Sequence, residues 1–125
     1  MAEALATISR VEDLGMIQIR ADLARAGDAI AGATGLAIPA QGMTVSDGTR
    51  RLGWMSPDEL LLVLPRAELA EALAALGDAL STEHALVLDV SDMRVAFRIT
   101  GPRAGQVLAK LSPAETGAMP PDGLR

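Results

Sequence analysis

The sequence has no cysteine, one histidine and only two aromatic residues, Trp54 and Phe97, among its 125 residues. Without cysteine, the chain cannot supply a disulfide, a thiolate nucleophile or thiolate ligands for zinc or an iron–sulfur cluster. A single histidine, His84, gives little support to a histidine-rich metal site or a Ser–His–Asp triad. Two aromatic side chains are too few for a base-stacking platform. These absences argue against many common classes of catalytic and metal-binding site.

Basic charge and long apolar runs are also scarce. The formal net charge is −5, with 16 acidic against 11 basic side chains, so no basic face for nucleic acid is expected. The longest uninterrupted apolar stretch, residues 60–65, is far too short to span a bilayer. The first residues lack the cationic and apolar regions of a secretory signal. We therefore expect a cytoplasmic protein with no nucleic-acid and no membrane partner.

Hydrophobic residues make up half of the chain, which is enough for one buried core at this length. Alternating apolar residues predict strands at 16–20, 59–64, 86–90 and 95–99. Helical spacing predicts three helices, one capped by Asp22, one over 69–80 and one that begins at Gly101-Pro102. The predicted fold class is α+β, with antiparallel strands and packed helices in a single domain over residues 1–112. Residues 113–125 lack periodicity, which predicts a flexible tail or a truncated connection.

The dipeptide Asp47-Gly48 is the strongest turn signal in the chain, because a two-residue type I′ turn requires positive φ at both positions. Such a turn would pair Met43 with Leu52. Four residues would then share the apolar face of the hairpin: Met43, Val45, Leu52 and Trp54.

Two segments of the chain resemble each other. The heptapeptide RAGDAIA at 25–31 is similar to RAGQVLA at 103–109, and each follows an alternating strand. This similarity predicts a duplicated strand–helix unit. The first unit continues into a hairpin, a strand and the leucine-rich helix, whereas the second stops after its first helix, so the second repeat is incomplete. We therefore expect the encoded protein to extend past Arg125 with a segment that resembles residues 43–80.

Few residues suggest chemistry. Gly101-Pro102 lies between a strand and a helix, as phosphate-binding loops do, but the required glycine and lysine spacing is absent, so we favour a plain turn. Asp89 and Asp92 flank Ser91 and could form a general base with an orienting group or a metal pair. Two carboxylates without a third ligand make a weak metal site, so turn capping is favoured.

Three further sites have a functional and a structural interpretation. His84 is predicted in a surface loop rather than in a catalytic centre. Arg94 and Arg98 could bind a carboxylate in a bidentate manner, although solvated strand arginines are commoner. Trp54 is either part of the core or a contact residue for a partner, since tryptophan is enriched at the energetic centres of interfaces.

The run LVLDVSDMRVAFRITGPRAGQVL at 86–108 is similar to the strand–turn–strand–helix of the folate-binding aminomethyltransferase fold. Together with LGWMSPDELLLVL at 52–64, it most resembles the gamma subunits of heterotetrameric sarcosine oxidases, over roughly residues 10 to 112. Those complexes oxidatively demethylate sarcosine to glycine, with formation of hydrogen peroxide and formaldehyde or methylene-tetrahydrofolate.

The resemblance implies a chain with no cofactor and no catalytic residue of its own. FAD, FMN, NAD and tetrahydrofolate are implied for the partner subunits (alpha, beta and also delta). Folate enzymes of this fold carry an acidic pair in a glycine-rich hairpin, whereas the hairpin here has only Asp47. We therefore predict no catalytic, cofactor-binding or metal-binding residue, with Trp54 as the candidate contact residue. The alternatives are a small folate-binding or methyl-transfer protein of the same fold and a stand-alone regulatory domain.

Overall fold

The computed structural model describes residues 6–111 and 119–124. These residues form seven strands, one 3-10 turn and three α-helices. In chain order the elements are β1 (Thr7–Val11), β2 (Leu14–Arg20), α1 (Leu23–Thr34), β3 (Thr44–Ser46), β4 (Arg51–Ser56), β5 (Glu59–Pro65), the 3-10 turn (Arg66–Glu68), α2 (Leu69–Ala79), β6 (Leu86–Asp89), β7 (Ala96–Thr100) and α3 (Ala104–Leu111). The predicted α+β class with antiparallel strands is confirmed.

Five strands form one antiparallel sheet in the order β3-β4-β5-β2-β6. Strand β2 lies between β5 and β6, and Ile17 and Ile19 lie opposite Leu62 and Leu60 of β5. These four side chains are fully buried. Because side chains alternate across a strand, one face of the sheet collects these residues. Helices α1 and α2 pack on that face and complete the core.

Residues close in sequence determine where α1 begins and where it ends. The Asp22 carboxylate accepts the backbone N–H of Ala24 and caps the first turn, as the sequence predicts. Gly35 ends the helix with φ of +72°, a left-handed conformation that glycine adopts without a steric penalty. Ala26 and Ile30 point from this helix into the core.

The register of the β3–β4 hairpin differs from the predicted one by two residues. Val45, rather than Met43, lies opposite Leu52. The cause is Asp47, whose carboxylate accepts the backbone N–H groups of Thr49 and Arg50. This side-chain turn widens the loop to four residues, so the two-residue type I′ turn does not form. A shift of two leaves the shared face unchanged, and the Trp54 N–H donates to the Met43 carbonyl.

A second sheet has only two described strands, β1 and β7, which pair antiparallel. Strand β1 carries no pattern that predicts a strand, because Thr7, Ser9 and Arg10 are polar and only Ile8 is strongly apolar before Val11. The strand forms because β7, which is distant from it in the sequence, supplies a hydrogen-bonding partner.

The two strand–helix units exchange their leading strands. Strand β1 leads into β2 but pairs with β7, while β6 leads into β7 but pairs with β2. Each unit therefore contributes one strand to the sheet of the other. This reciprocal pairing agrees with the internal similarity between 25–31 and 103–109, and it joins the two units through backbone hydrogen bonds.

Residues 119–124 are part of the segment predicted as a flexible tail or a truncated connection, and they contact the β3 edge of the main sheet. The Thr44 N–H donates to the Asp122 carbonyl, and the Leu124 N–H donates to the Gly42 carbonyl. A Leu124 methyl lies 3.1 Å from the position that a Cβ on Gly53 would occupy. This segment thus extends the pairing at the β3 edge. Residues 112–118 lie outside the described residues.

The last helix begins two residues later than the sequence predicts. Pro102 lies in the turn before α3 rather than at its first position, and the Arg103 carbonyl accepts the N–H of Val107. Because α3 starts at Ala104, the Gly101-Pro102 pair acts as a connection from β7 and not as the first helical turn.

Ser91 anchors the β6–β7 connection to strand β2 of the main sheet. Its hydroxyl oxygen accepts the N–H of Met16 at 2.9 Å, and the N–H of Val90 donates to the Met16 carbonyl, also at 2.9 Å. These residues are buried.

We expect Ser91→Ala to lower the free energy of unfolding by about 1–3 kcal/mol, because the buried Met16 N–H loses its acceptor. Denaturant titration of the purified chain measures this loss. Ser81→Ala, at an exposed position after α2, is the matched control and should change stability by less than about 0.5 kcal/mol. Equal effects of the two substitutions would contradict the anchoring role.

Candidate functional site

Large apolar side chains are exposed on β1 and on the second half of the chain. Their exposed fractions run from 39 to 72%, and scattered single residues of this kind are ordinary on protein surfaces. Here they concentrate on β1, β6, β7 and the connection between the last two strands. The six residues are Ile8, Leu86, Leu88, Met93, Val95 and Phe97.

One part of this surface lies on the β1–β7 pair. Ile8 is opposite Ile99, and Phe97 is two residues from Ile99 on the same strand, so the three side chains share a face. We call Ile8, Phe97 and Ile99 the ribbon face. Phe97 is 61% exposed and Ile8 54%, although the alternation of Phe97 with Ile99 is typical of a strand with one buried face.

A second part lies on the main sheet, on the side away from α1 and α2. Leu88 is opposite Gln18, which is opposite Leu61 of β5, so this outer sheet face carries apolar residues around a polar centre. Leu88 is exposed, whereas Leu61 is half-buried. Within the described residues, the contact of Leu124 with Gly53 covers one end of this face.

A polar cavity of about 250 Å³ lies where the β1–β2 and β6–β7 connections meet. Arg66 lies 3.2 Å from the Asp92 carboxylate, and Arg10 lies 3.6 Å from Glu12. Arg94 also lines the cavity. The three arginines face three acidic residues, because Asp13 completes the lining. The charges thus balance within the cavity.

The sequence does not reveal the Arg66–Asp92 pair of this cavity. The two residues lie on opposite sides of α2 in the chain, and no motif or periodicity relates them. Only the packing of the β6–β7 connection beside the start of the 3-10 turn brings them together.

A groove of about 1300 Å³ surrounds the start of α1. His84 lies at its rim in the connection between α2 and β6, where the sequence predicts a surface loop. Leu23, Pro57 and Leu86 supply apolar walls. Ser91 does not line this groove, so the structure does not bring the single histidine to the buried serine.

Asp89 caps a turn, as the sequence favours. Its carboxylate accepts the backbone N–H of Ser91 at 2.9 Å, and hydrogen bonding by Ser91 holds the pKa of Asp89 below its ordinary value of 3.8. Asp92 turns instead toward Arg66. Across residues 6–111 and 119–124, no group of three or more acidic or histidine side chains could hold a metal ion.

The Asp47 carboxylate is likewise used by its own loop. Backbone N–H groups of Arg50 and Thr49 lower the pKa of Asp47 below its ordinary value. Asp47 stands where folate enzymes of this fold carry an acidic pair, and its oxygen already accepts two hydrogen bonds from its own loop.

The two arginines that could bind a carboxylate lie in and just before β7. Arg94 lies in the connection before β7 and lines the polar cavity. Arg98 lies on β7 opposite Ser9, on the reverse side of the ribbon face. Both side chains are exposed, which agrees with the solvated strand arginines that the sequence favours.

Trp54 is half-buried near the middle of β4. It lies opposite the fully buried Leu60, so its side chain is on the sheet face that carries the helices. It is not among the residues of the buried core. Its partial burial therefore does not decide between a core residue and a contact residue for a partner.

Among the helices of the described ranges, none is both long enough and apolar enough to cross a membrane.

Comparison with known proteins first defines the fold. The chain superimposes on the glycine cleavage system aminomethyltransferase T of Bartonella henselae with a TM-score of 0.74, at 16% identity, over 96% of this chain and 36% of that one. At this identity the likeness shows the fold alone. The exchanged strand–helix units thus form the folate-binding aminomethyltransferase type of fold, as the sequence resemblance implies.

Sequence comparisons identify one family among the proteins that share this fold. A model of the sarcosine oxidase, gamma subunit family matches residues 19–117. The gamma subunit from Corynebacterium sp. (strain P-1) is 44% identical over 92 residues, which are 70% of this chain and 43% of that protein. The gamma subunit from Arthrobacter sp. is 36% identical over 105 residues, or 79% of this chain and 49% of that protein.

A solved structure agrees with the family match. The heterotetrameric sarcosine oxidase of Corynebacterium sp. U-96, in complex with pyrrole 2-carboxylate, contains a chain that superimposes with a TM-score of 0.80 at 34% identity. The match covers 88% of this chain and 57% of that one. The protein belongs to the sarcosine oxidase gamma subunit family. It spans about half the length of the curated relatives it matches.

The lowered pKa of Asp89 predicts a pH dependence of stability. Its stabilising contribution is present above the ordinary value of 3.8 and is lost as the pH falls through the lower pKa of the folded chain. We expect Asp89→Asn to remove this acid-dependent component from denaturant titrations repeated between about pH 5 and pH 3.

Asp28→Asn, on an exposed position of α1, controls for the change in net charge. An unchanged acid dependence in Asp89→Asn would show that the hydrogen bonding by Ser91 does not contribute.

Proposed function

We propose that this chain is a non-catalytic structural subunit of a heterotetrameric sarcosine oxidase. Such a complex converts sarcosine to glycine by oxidative demethylation, with hydrogen peroxide and formaldehyde or methylene-tetrahydrofolate as the other products. The observation that carries the proposal is the match of the gamma subunit family over residues 19–117. The 34% identical chain in a solved heterotetramer supports it.

The partners in this proposal are the larger alpha and beta subunits and the delta subunit, in the cytoplasm. FAD, FMN, NAD and tetrahydrofolate belong to those partners. The geometry of Asp47 supports this division, because its carboxylate is occupied by backbone N–H groups of its own loop. Ser91 supports it as well, since its oxygen accepts the Met16 N–H and serves the fold.

Exposed apolar surface supports a role in assembly. Specific interfaces bury apolar side chains at their centres and leave polar groups at the rim. Leu86 and Leu88 form an exposed apolar edge of the main sheet, with Arg20 and Gln18 as their polar neighbours on β2. This combination is typical of a surface that a partner subunit covers.

Trp54 is the contact residue that we propose for a partner. It is half-buried and lies opposite Leu60, so part of its side chain stays accessible to a partner. A large aromatic side chain that is held by its own fold loses little conformational freedom when a partner covers it, which suits an interface anchor.

The test of this function is reconstitution with purified components. The chain alone should show no flavin absorbance, no sarcosine oxidation and no calorimetric isotherm with tetrahydrofolate. Co-expressed with the alpha, beta and delta subunits of its source organism, a tagged copy should retain all three in stoichiometric amounts. A micromolar, stoichiometric folate isotherm for the isolated chain would instead support the folate-binding alternative, and failure to retain the subunits would contradict the assembly role.

Trp54→Ala should weaken binding to the partner subunits by about 2 kcal/mol or more, which is roughly a 30-fold rise in Kd. The unfolding free energy of the isolated chain should fall by less than the about 3–5 kcal/mol typical of a tryptophan in a core. Leu60→Ala, at the fully buried neighbour, is the control and should cost about 2–5 kcal/mol of stability. Unchanged assembly together with a core-sized loss of stability would contradict the contact role.

A further inference from the structure

Met93 lies in the connection between β6 and β7, and among the described residues it is the most exposed large apolar one. Its exposed fraction is 72%, compared with 61% for Phe97. The other described methionines are buried or half-buried: Met16, Met43, Met55 and Met119. One thioether is therefore open to small reagents in the solvent, while the others are shielded to different degrees.

The Met93 side chain takes no part in holding its own turn. The backbone N–H of Met93 donates to the Val90 carbonyl at 3.0 Å, and the Asp89 carboxylate accepts the N–H of Ser91 at 2.9 Å. The Ser91 hydroxyl oxygen accepts the Met16 N–H. Because backbone groups and two polar side chains hold the turn, a chemical change at the Met93 sulfur leaves these hydrogen bonds in place.

Met16 provides the contrast within the same chain. It lies on β2, it is 6% exposed, and its N–H and carbonyl are bonded to Ser91 and Val90. Although Met16 borders the polar cavity, its burial restricts the approach of a reagent to its sulfur. Methionine sulfoxide is polar and chiral, so it disrupts a packed core, whereas an exposed turn keeps it in water.

Hydrogen peroxide is the oxidant that suits an exposed thioether. The sulfur attacks one peroxide oxygen, so that an S–O bond forms and the O–O bond breaks. The departing oxygen takes up the proton of the transferred oxygen and leaves as water. Sulfur is oxidised and the peroxide is reduced, which gives the sulfoxide without a further reactant.

We propose that Met93 is a peroxide-oxidation site of this chain, at which hydrogen peroxide converts the thioether to a sulfoxide while Met16 stays reduced and the fold stays intact. The source of the peroxide rests on the proposed function, because the oxidase complex releases it as a product. The added oxygen lies two residues from Val95, which is also exposed. Oxidation thus makes this part of the apolar surface more polar, and methionine sulfoxide reductases reverse the change.

Peptide mass mapping of the purified chain tests the site. Trypsin releases residues 11–20 with Met16 as the only methionine and residues 67–94 with Met93 as the only one. In dilute hydrogen peroxide, the Met93 peptide should gain one oxygen atom at least about tenfold faster than the Met16 peptide, because an oxidant in water reaches an exposed thioether first. The thermal midpoint of the oxidised chain should stay close to that of the untreated chain.

Two controls assign the added oxygen. Reductases for both sulfoxide epimers should restore the original mass of the Met93 peptide. Met93→Leu keeps an apolar side chain of similar volume but removes the sulfur, so it should abolish the fast gain of oxygen by the intact chain. Met55→Leu makes the same change at a half-buried position of β4 and should leave the fast reaction in place.

The reconstituted complex tests the source of the peroxide. When sarcosine and oxygen are supplied, Met93 of the assembled chain should become oxidised, and added catalase should prevent the oxidation. An unmodified Met93 in a complex that releases hydrogen peroxide without catalase would contradict the proposal.

Two results with added peroxide would overturn the site itself. One is an equal rate of oxidation at Met93 and Met16 in the isolated chain, and the other is loss of the fold when Met93 is oxidised. These measurements do not depend on sarcosine turnover. A failure of the oxidation site is therefore distinguishable from a failure of the proposed function, which the reconstitution with alpha, beta and delta subunits tests separately.

Discussion

Strand β2 is hydrogen-bonded along both edges, and the rest of the structure depends on that position. Strand β5 pairs with one edge and β6 with the other, so the backbone polar groups of β2 are satisfied although Ile17 and Ile19 are fully buried. Strand β6 pairs with β2 although the two strands are distant from each other in the sequence. The Ser91 hydroxyl accepts the Met16 N–H, so the connection after β6 is held as well. The exchange of strands thereby ties both halves of the chain to one core.

The same exchange leaves the two halves unequally covered. The first unit has α1, α2 and β5 around its central strand, whereas the described part of the second has α3 and β1 around β7. The exposed apolar surface on β1 and β7 follows from this difference. Such surface suits the assembly role that we propose, since association buries apolar area that folding alone leaves in water. Three aspartates, in contrast, stabilise local structure: Asp22, Asp47 and Asp89 each cap a turn or a helix end.

Much of the fold could be predicted from residue order because the relevant interactions are short-range. The Asp22 cap and the leucine spacing of α2 involve residues within a few positions of one another, and both predictions are confirmed. The hairpin register was predicted wrongly, since a side-chain turn at Asp47 competes with the type I′ turn. Of the candidate site residues, Asp89 was correctly assigned to a turn, whereas its neighbour Asp92 pairs with Arg66, which no spacing indicates.

The sequence by itself determined most of the elements, the faces that their apolar residues share, and the family to which the chain belongs. Only the tertiary structure decided that β1 exists, that it pairs with β7, and that Phe97 is exposed while Ile17 is buried. The reason is physical. Alternation of apolar residues reports that a strand has one face suited to burial, but burial requires a neighbour, and the neighbour of a strand is chosen by contacts that are distant along the chain.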